Sequence, residues 1–403
     1  MWAVGRLFSF VPRVYCEAAD SMKPFSIYFP QFYTTQTNDA AWGKGFTDWA
    51  LVADANLHGR WQRRAPARGF YDGSDPCVHR SQMQQMRDFA LGGMALYHYW
   101  FYSHQELPAF EQTLLRDSSE TPVPWFLIWA TEGWSRRWLG DPTTIVALSK
   151  RPDLTMIEAH CDHLARCFDH PSYWRWKGRP LFIWYHLGHF ENPAEVLEQY
   201  RSALARRSVE PAFGHFAKNP FDLQHSKLTE LTYLFEPRLF FGMRRAGRGA
   251  GAKALFDRFE RLVGAHLAAR MLILIDKVQQ SGTVHAADSF LQHFASNERR
   301  ALVESIDTEV QEVLSPGWNN TPRYRERFTA LEDVPPAAFE TLVRQACGIG
   351  SAPPLINAWN EWSEGAAIEP CAYYGVRYLD AVRAAGAAPP MIDECAALPW
   401  SRA

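Results

Sequence analysis

The sequence predicts an α/β fold, a single (β/α)8 TIM barrel with a long loop after its first strand. Three observations carry that reading. Eight short apolar runs alternate with segments of helical periodicity, the signature of βα repetition. The first run passes into Pro30-Gln31-Phe32 rather than a glycine fingerprint, which sets aside a dinucleotide-binding sheet. Polar and aromatic clusters stand at the ends of the apolar runs, where a barrel of this kind carries its functional residues.

Taken in order, residues 1–22 read as a loosely ordered leader. Residues 23–403 read as one domain, because no linker, charge block or internal repeat divides them. The run 25–30 is the first strand. Residues 31–76 are rich in Trp, Gly and Arg and lack clean periodicity; a loop this long is functional or disordered, and its aromatic content argues against disorder. A helix over 75–91 places Met83, Met86, Phe89 and Ala90 on one stripe, and a strand over 94–99 follows Gly92-Gly93. Helix 107–116, strand 125–130, helix 153–168, strand 180–185 and helix 193–208 continue the alternation, followed by strands at 212–217 and 231–235. The apolar run 271–275 (MLILI) is taken as the seventh strand, and the weaker candidate 309–314 is left out of the count. Helix 335–347, the apolar run 355–359 and a helix over 374–385 complete the chain.

With 403 residues and 47% hydrophobic side chains, a large core is within reach. A net charge of −2 makes no electrostatic case for nucleic acid or an anionic membrane surface. Seven scattered cysteines, odd in number and without a C-x-x-C pair, argue for free thiols in a reducing compartment and against a disulfide framework. No apolar run reaches the roughly 18 residues that span a bilayer. Six uncharged residues between Arg6 and Arg13 fall short of a signal-peptide core, so the expected location is cytoplasmic, or periplasmic if the N-terminus is a cryptic signal.

The chain centres on LINAWNEWSEGAAIEP (355–370). An apolar run turns polar at Asn360-Glu361, and a second carboxylate, Glu364, follows at a spacing of three. On an extended strand that spacing divides the pair between faces; on a helical turn it sets their Cβ atoms roughly 5–6 Å apart. Carboxyl groups about 5–5.5 Å apart are what retaining glycoside chemistry uses. Mutual repulsion and desolvation between Trp359 and Trp362 would split their proton affinities, with Glu364 as general acid/base and Glu361 as base. The competing reading is a helix-capping surface pair.

The excess of 16 Trp, 15 Tyr and 26 Phe points the same way, because many stand in polar company: YHYWF (97–101), WATEGWSRRW (129–138), NAWNEW (357–362). Such surroundings suit a ligand with apolar faces and many hydroxyls. Glu132 either holds those hydroxyls or pairs with Arg136. Asp48, His98, Tyr99, Glu236, Trp318 and Asn320 are further candidates, each weighed against a scaffold role. His160 and His163 flank Cys161 on a helix, but no second ligand cluster is evident, so no metal is expected. The basic stretch 238–258 reads as a solvated loop, open to use by a lipid-diphosphate-linked glycan, and 242–251 lacks the phosphate-loop pattern.

YFPQFY (28–33), WGKGFTDW (42–49), YHYWF, WATEGWSRRW, GRPLFIWY (178–185), PGWNNTPR (316–323) and NAWNEWSEG…EP (357–370) occur in an order that resembles the WbsX family, the glycoside hydrolase family 99-like proteins of bacterial surface-polysaccharide loci. The resemblance spans 25 to about 385 and implies a (β/α)8 barrel acting on glycans. Glycoside hydrolase family 99 contains retaining endo-α-mannosidases with an N-E-W-x-E-G segment, whose glutamates map onto Glu361 and Glu364. There the first carboxylate takes a proton from the sugar's own 2-hydroxyl, which closes to a 1,2-anhydro intermediate; the second acts as acid and then as base. Substrate-assisted routes of this kind are exceptions to the usual two-carboxylate scheme.

Through these motifs the implied ligand contacts are Tyr28, Gln31, Trp42, Asp48, Trp49, His98, Tyr99, Trp129, Glu132, Trp134, Arg137, Trp318, Asn320, Trp359, Asn360 and Trp362, to which Glu236 is added because it closes the strand at 231–235. One departure stands out: WbsX-like proteins usually read W-A-N-E-N-W where this chain has Trp129-Ala130-Thr131-Glu132-Gly133-Trp134, a loss of two amide side chains that puts substrate choice in question. The implied partner is a polysaccharide or lipid-linked oligosaccharide, without nucleic acid, metal or cofactor; the oligomeric state stays open. Two rivals remain. One is a glycosyltransferase building such a glycan, against which stands the lack of a D-x-D-type metal and nucleotide-diphosphate site; the other is a glycan-binding scaffold with inert carboxylates.

Overall fold

The computed structural model describes residues 22–55, 64–102, 104–117, 119, 122–135, 144–245 and 282–387. Eight parallel strands close into a ring: β1 (Phe25–Tyr28), β2 (Gly93–Phe101), β3 (Trp125–Trp129), β4 (Arg179–Trp184), β5 (Ala212–Ala217), β6 (Leu231–Phe235), β7 (Glu309–Leu314) and β8 (Leu355–Ile356). Strand β8 returns to β1 through Phe25↔Leu355 and Ser26↔Ile356, and closure leaves none of the eight as a free edge.

Helices lie between the strands as the periodicity predicts. They are α1 (Gln36–Trp42), α2 (Asp48–Asp54) and α3 (Pro76–Asp88) before β2, α4 (Ala109–Leu115) before β3, α5 (Leu154–Phe168) before β4 and α6 (Pro193–Ala205) before β5. Then come α7 (Ala287–Phe294) and α8 (Asn297–Glu304) before β7, α9 (Pro336–Cys347) before β8, and α10 (Arg377–Ala387) at the end. The side chains of Asp75, Asp153 and Asn192 accept the orphan N–H groups of Cys77, Met156 and Glu195 and so start α3, α5 and α6. In its described residues the long segment after β1 carries α1 and α2. The leader falls outside the described residues except for Met22.

One strand assignment is corrected. The seventh strand of the ring is Glu309–Leu314, paired directly with β6 over five residues, whereas 271–275 lies outside the described residues. Glu-Val-Gln-Glu-Val-Leu reads as too polar for a buried strand, but its polar side chains are satisfied. Gln311 donates to the carbonyls of Ile349 (2.6 Å) and Ala352 (2.7 Å), and Glu312 accepts from Arg299 (2.6 Å).

Strand alternation sorts the side chains into two layers. Tyr97 of β2 meets Tyr185, just past β4, across the interior, with ring centroids 5.7 Å apart. Its neighbour His98 points the other way, into the helical layer, where it joins Glu111, His163, His160 and Tyr200. His163 therefore does meet a second cluster of titratable groups, His98 and Glu111, which the spacing along the chain conceals. One proton assignment satisfies them all: Tyr200 donates to His160 Nδ1, His160 Nε2 to His98 Nε2, His98 Nδ1 to Glu111 Oε2 and His163 Nε2 to Glu111 Oε1, while Gln105 adds a donor to Glu111 and Arg166 donates to His163 Nδ1. The chain ties α4, α5 and α6 to β2. Cys77, Cys161, Cys167, Cys347 and Cys371 are free thiols, and among the described residues no helix is long and apolar enough to cross a membrane.

Glu111 is the acceptor at which this network ends. Glu111→Ala leaves the N–H groups of His98 and His163 buried without a partner and is expected to cost on the order of 3 kcal/mol of stability. A reduced urea midpoint measures it; an unchanged midpoint would show that the helical layer does not depend on the carboxylate.

Candidate active site

The carboxylate pair sits just beyond the end of β8. Asn360 closes this region: its side chain accepts the N–H of Phe29 and donates to the carbonyl of the same residue, both at 2.8 Å, extending the β1–β8 contact past a two-residue strand. Trp362–Glu364 then forms a single 3-10 turn with Glu361 at its N-cap. A 3-10 turn has three residues per turn, so positions three apart eclipse, and Glu361 and Glu364 share a face. Gly365 ends the turn at φ +62, and a Cβ there would lie 3.2 Å from the backbone nitrogen and Cβ of Asn319. Only glycine takes that conformation in that space without strain.

One guanidinium spans the pair. Arg323, on a short helical turn (Thr321–Tyr324) after β7, donates from Nη1 to Glu364 Oε1 (2.8 Å) and from Nη2 to Glu361 Oε1 (3.2 Å) and Asp48 Oδ2 (2.9 Å). Asp48 opens α2 and is wholly buried; Ser363 Oγ lies 2.7 Å from its Oδ2 and 2.9 Å from Glu361 Oε1. A second guanidinium, Arg238, approaches Glu364 Oε1 at 3.6 Å and lies 5.3 Å from the centre of the Trp318 ring. The Oε2 atoms of both glutamates take no hydrogen bond from the described residues. Burial, with the charges of Glu364 and Asp48, pushes the Glu361 carboxyl up to about 8 against the opposing pull of Arg323 and Ser363.

Other predicted residues stand around this centre. Tyr99 is charge-coupled to Glu361, Arg323 and Asp48, and Trp134 packs on it at 5.5 Å. Glu132, half-exposed, pairs with Lys218 Nζ at 2.8 Å, and Lys218 lies over the Tyr185 ring at 3.9 Å. Burial works against ionisation of Glu132, but Lys218 outweighs it and holds the carboxyl below its ordinary range. Arg136 and Arg137 lie outside the described residues.

Several predicted residues make contacts within the fold itself. Tyr28, His98, Trp129 and Glu236 occupy outward positions. Tyr28 bonds to Gln82 (2.9 Å), Trp129 packs on His160 and Tyr200, and Glu236 accepts from His293 and the N–H of Phe240, both at 2.9 Å. Trp49 donates to the carbonyl of Tyr71, and Trp42 stacks on Phe46. Gln31 is buried and its carbonyl accepts from the Asp48 N–H at 3.4 Å. Asn320 accepts the Thr329 N–H (2.7 Å), Trp359 is fully buried, and Trp362 donates to Glu369 (3.1 Å).

The residues not anticipated are Arg323, Arg238, Ser363, Lys218, Tyr97, Tyr185 and Glu369. Glu369 accepts from Trp362, Tyr71 and Gln82 and so anchors the turn to α3. The available signal lay in the motifs themselves: Arg323 ends PGWNNTPR, and Glu369 ends the NEWSEG…EP segment.

A family model described as "Glycosyltransferase WbsX" matches residues 24–382. Two strains of Xanthomonas campestris pv. campestris carry an uncharacterized protein, WxcX, 29% identical over 378 residues, 89% of this chain and 49% of theirs. The chain thus spans about half the length of the curated relatives it matches. Among solved structures, a glycoside hydrolase family 99 endo-α-mannosidase from Bacteroides thetaiotaomicron is similar at TM-score 0.56 and 14% identity, covering 91% of this chain and 97% of that one. A "glycoside hydrolase-like protein" is similar at TM-score 0.53 and 12% identity, covering 94% and 98%.

The raised proton affinity of Glu361 has a consequence for stability. With its carboxyl moved from 4.5 to about 8, the folded state keeps a proton that the unfolded chain releases, so wild-type stability falls as pH rises across that window. Glu361→Gln cannot ionise. Its melting temperature relative to wild type is therefore expected to be higher at pH 9 than at pH 5; a difference independent of pH would place the Glu361 carboxyl in the ordinary range.

Proposed function

The chain belongs to the WbsX family, and we propose that its barrel is a carbohydrate-active enzyme that cleaves or transfers glycosidic bonds in a surface polysaccharide or its lipid-linked precursor. The observation that carries this reading is the carboxylate pair on one turn at the strand C-termini, bridged by Arg323. Such a pair, with one member holding a proton and the other ionised, is what glycoside chemistry requires.

In the proposed reaction Glu361 takes the proton of the sugar 2-hydroxyl as that oxygen bonds to the anomeric carbon. Glu364 gives its proton to the departing glycosidic oxygen. In the second half Glu364 removes a proton from water or an acceptor hydroxyl, that oxygen bonds to the anomeric carbon, and Glu361 returns its proton to the 2-oxygen. Each half needs one proton within the pair. The resting site holds it on Glu361, so the reactive form is reached by moving it to Glu364 as ligand displaces Arg323. Aromatic faces beside the pair, Tyr97, Tyr99, Tyr185 and Trp318, suit the apolar sides of a sugar ring.

The second reading, a glycosyltransferase, is favoured by the family description, and the acceptor hydroxyl in the second half-reaction is where the two readings meet.

Turnover of the host organism's surface polysaccharide, with and without sugar nucleotide, tests both. Wild type is expected to release or reshuffle chains without a sugar nucleotide, with activity falling as pH rises through about 8, where the pair loses its last proton. Glu361→Gln and Glu364→Gln are each expected to lower turnover by roughly a hundredfold or more. A strict requirement for sugar nucleotide makes the protein a transferase; binding without turnover makes it a recognition module.

A further inference from the structure

Asp48 is a third carboxylate at the pair, brought there from the loop after β1. Arg323 gives Glu364 its own nitrogen, Nη1, but divides Nη2 between Asp48 at 2.9 Å and Glu361 at 3.2 Å. Ser363 has one hydroxyl proton and two carboxylate oxygens within reach, Asp48 Oδ2 at 2.7 Å and Glu361 Oε1 at 2.9 Å. In both places Asp48 has the shorter contact. It therefore competes with Glu361 for the single Ser363 proton, shares the Arg323 nitrogen with it, and adds a negative charge beside it. Asp48 Oδ1, moreover, is buried and without a hydrogen-bond partner among the described residues, which leaves its charge little dispersed over other donors.

We propose that Asp48 is a positioning residue which, through Ser363 and the shared nitrogen of Arg323, keeps the proton of the carboxylate pair on Glu361 until ligand arrives. The inference rests on the reading of Glu361 and Glu364 as the reacting pair, and gives Asp48 a role other than sugar contact. The remaining groups facing Glu361 do not supply the same bias. Tyr97, Tyr99 and Tyr185 are neutral phenols with burial pushing their hydroxyls upward, and Arg238 lies against Glu364. Glu364 is the competitor for the proton.

Two substitutions carry opposite signs. Asp48→Asn keeps the shape, removes the charge and weakens the competition for the Ser363 proton, so the Glu361 proton is held more weakly. Ser363→Ala removes the donor that Asp48 and Glu361 share and leaves Asp48 charged and less compensated, so the proton is held more tightly. The measurement is infrared titration of the protonated carboxyl stretch in the substrate-free protein, assigned by its loss in Glu361→Gln, with the pH profile of turnover beside it. The midpoint is expected to move down by about one pH unit or more in Asp48→Asn, a tenfold change in proton affinity, and up in Ser363→Ala. The same shifts are expected in the alkaline limb of turnover.

Midpoints that stay in place, or that move in the same direction in both variants, overturn the inference even where both variants melt like wild type. If the infrared midpoints move as stated while wild type turns over no glycan, the proposed function fails and the proton device stands. If the Glu→Gln variants lose turnover while the Asp48→Asn midpoint stays at the wild-type value, the device alone fails.

Discussion

The mouth of this barrel depends on one buried cation. Arg323 meets carboxylates from α2 and from both ends of the turn after β8, and its guanidinium also lies 5.4 Å from the centre of the Phe29 ring at the end of β1. Three carboxylates gathered in so little water would repel one another, and each would favour its neutral form. A planar fork of fixed geometry holds them together with distinct bonds to distinct oxygens, which the point charge of a lysine would not do. The loops after β1, β7 and β8 are therefore joined electrostatically as well as by packing. Among the described residues, one oxygen on each glutamate takes no hydrogen bond.

Behind that centre lies a layer of hydrogen-bonded buried polar groups, and their function is to fix the turn. Asn360 ties it to the backbone of Phe29; Glu369 receives Trp362, Tyr71 and Gln82 and joins it to α3. Burial pushes the Glu369 carboxyl upward while those donors oppose it. The outer layer repeats the principle with His98, Glu111, His163 and His160, and again with Glu236, His293, Arg299 and Glu312. Buried polar networks of this kind are costly unless complete, and when complete they specify one arrangement of helices over strands.

How the residues divide between site and scaffold follows from a period of two. In YHYWF the rings of Tyr97 and Tyr99 face the interior and His98 faces the helices, so a choice of one residue along the strand exchanges a site for a scaffold. Tyr28 beside Phe29 shows the same exchange. A strand buried on both sides is apolar throughout, and such a run carries no mark of which face is inward.

The sequence by itself determined the barrel, through the recurrence of apolar runs and helical stripes, and it located the carboxylate pair, because local spacing and a local turn put Glu361 and Glu364 on one face. It also placed Asp48, Tyr99 and Glu132 near that centre. It did not decide the seventh strand, whose polar residues are tolerated only because Arg299 and two distant carbonyls satisfy them. Nor did it single out Arg323, 38 residues from Glu361 and 275 from Asp48. Local chemistry is written in neighbouring residues and can be read from them. Which charges compensate one another, and on which oxygen a proton rests, depends on distances of a few ångströms between loops far apart in the chain, and only closing the ring creates those distances.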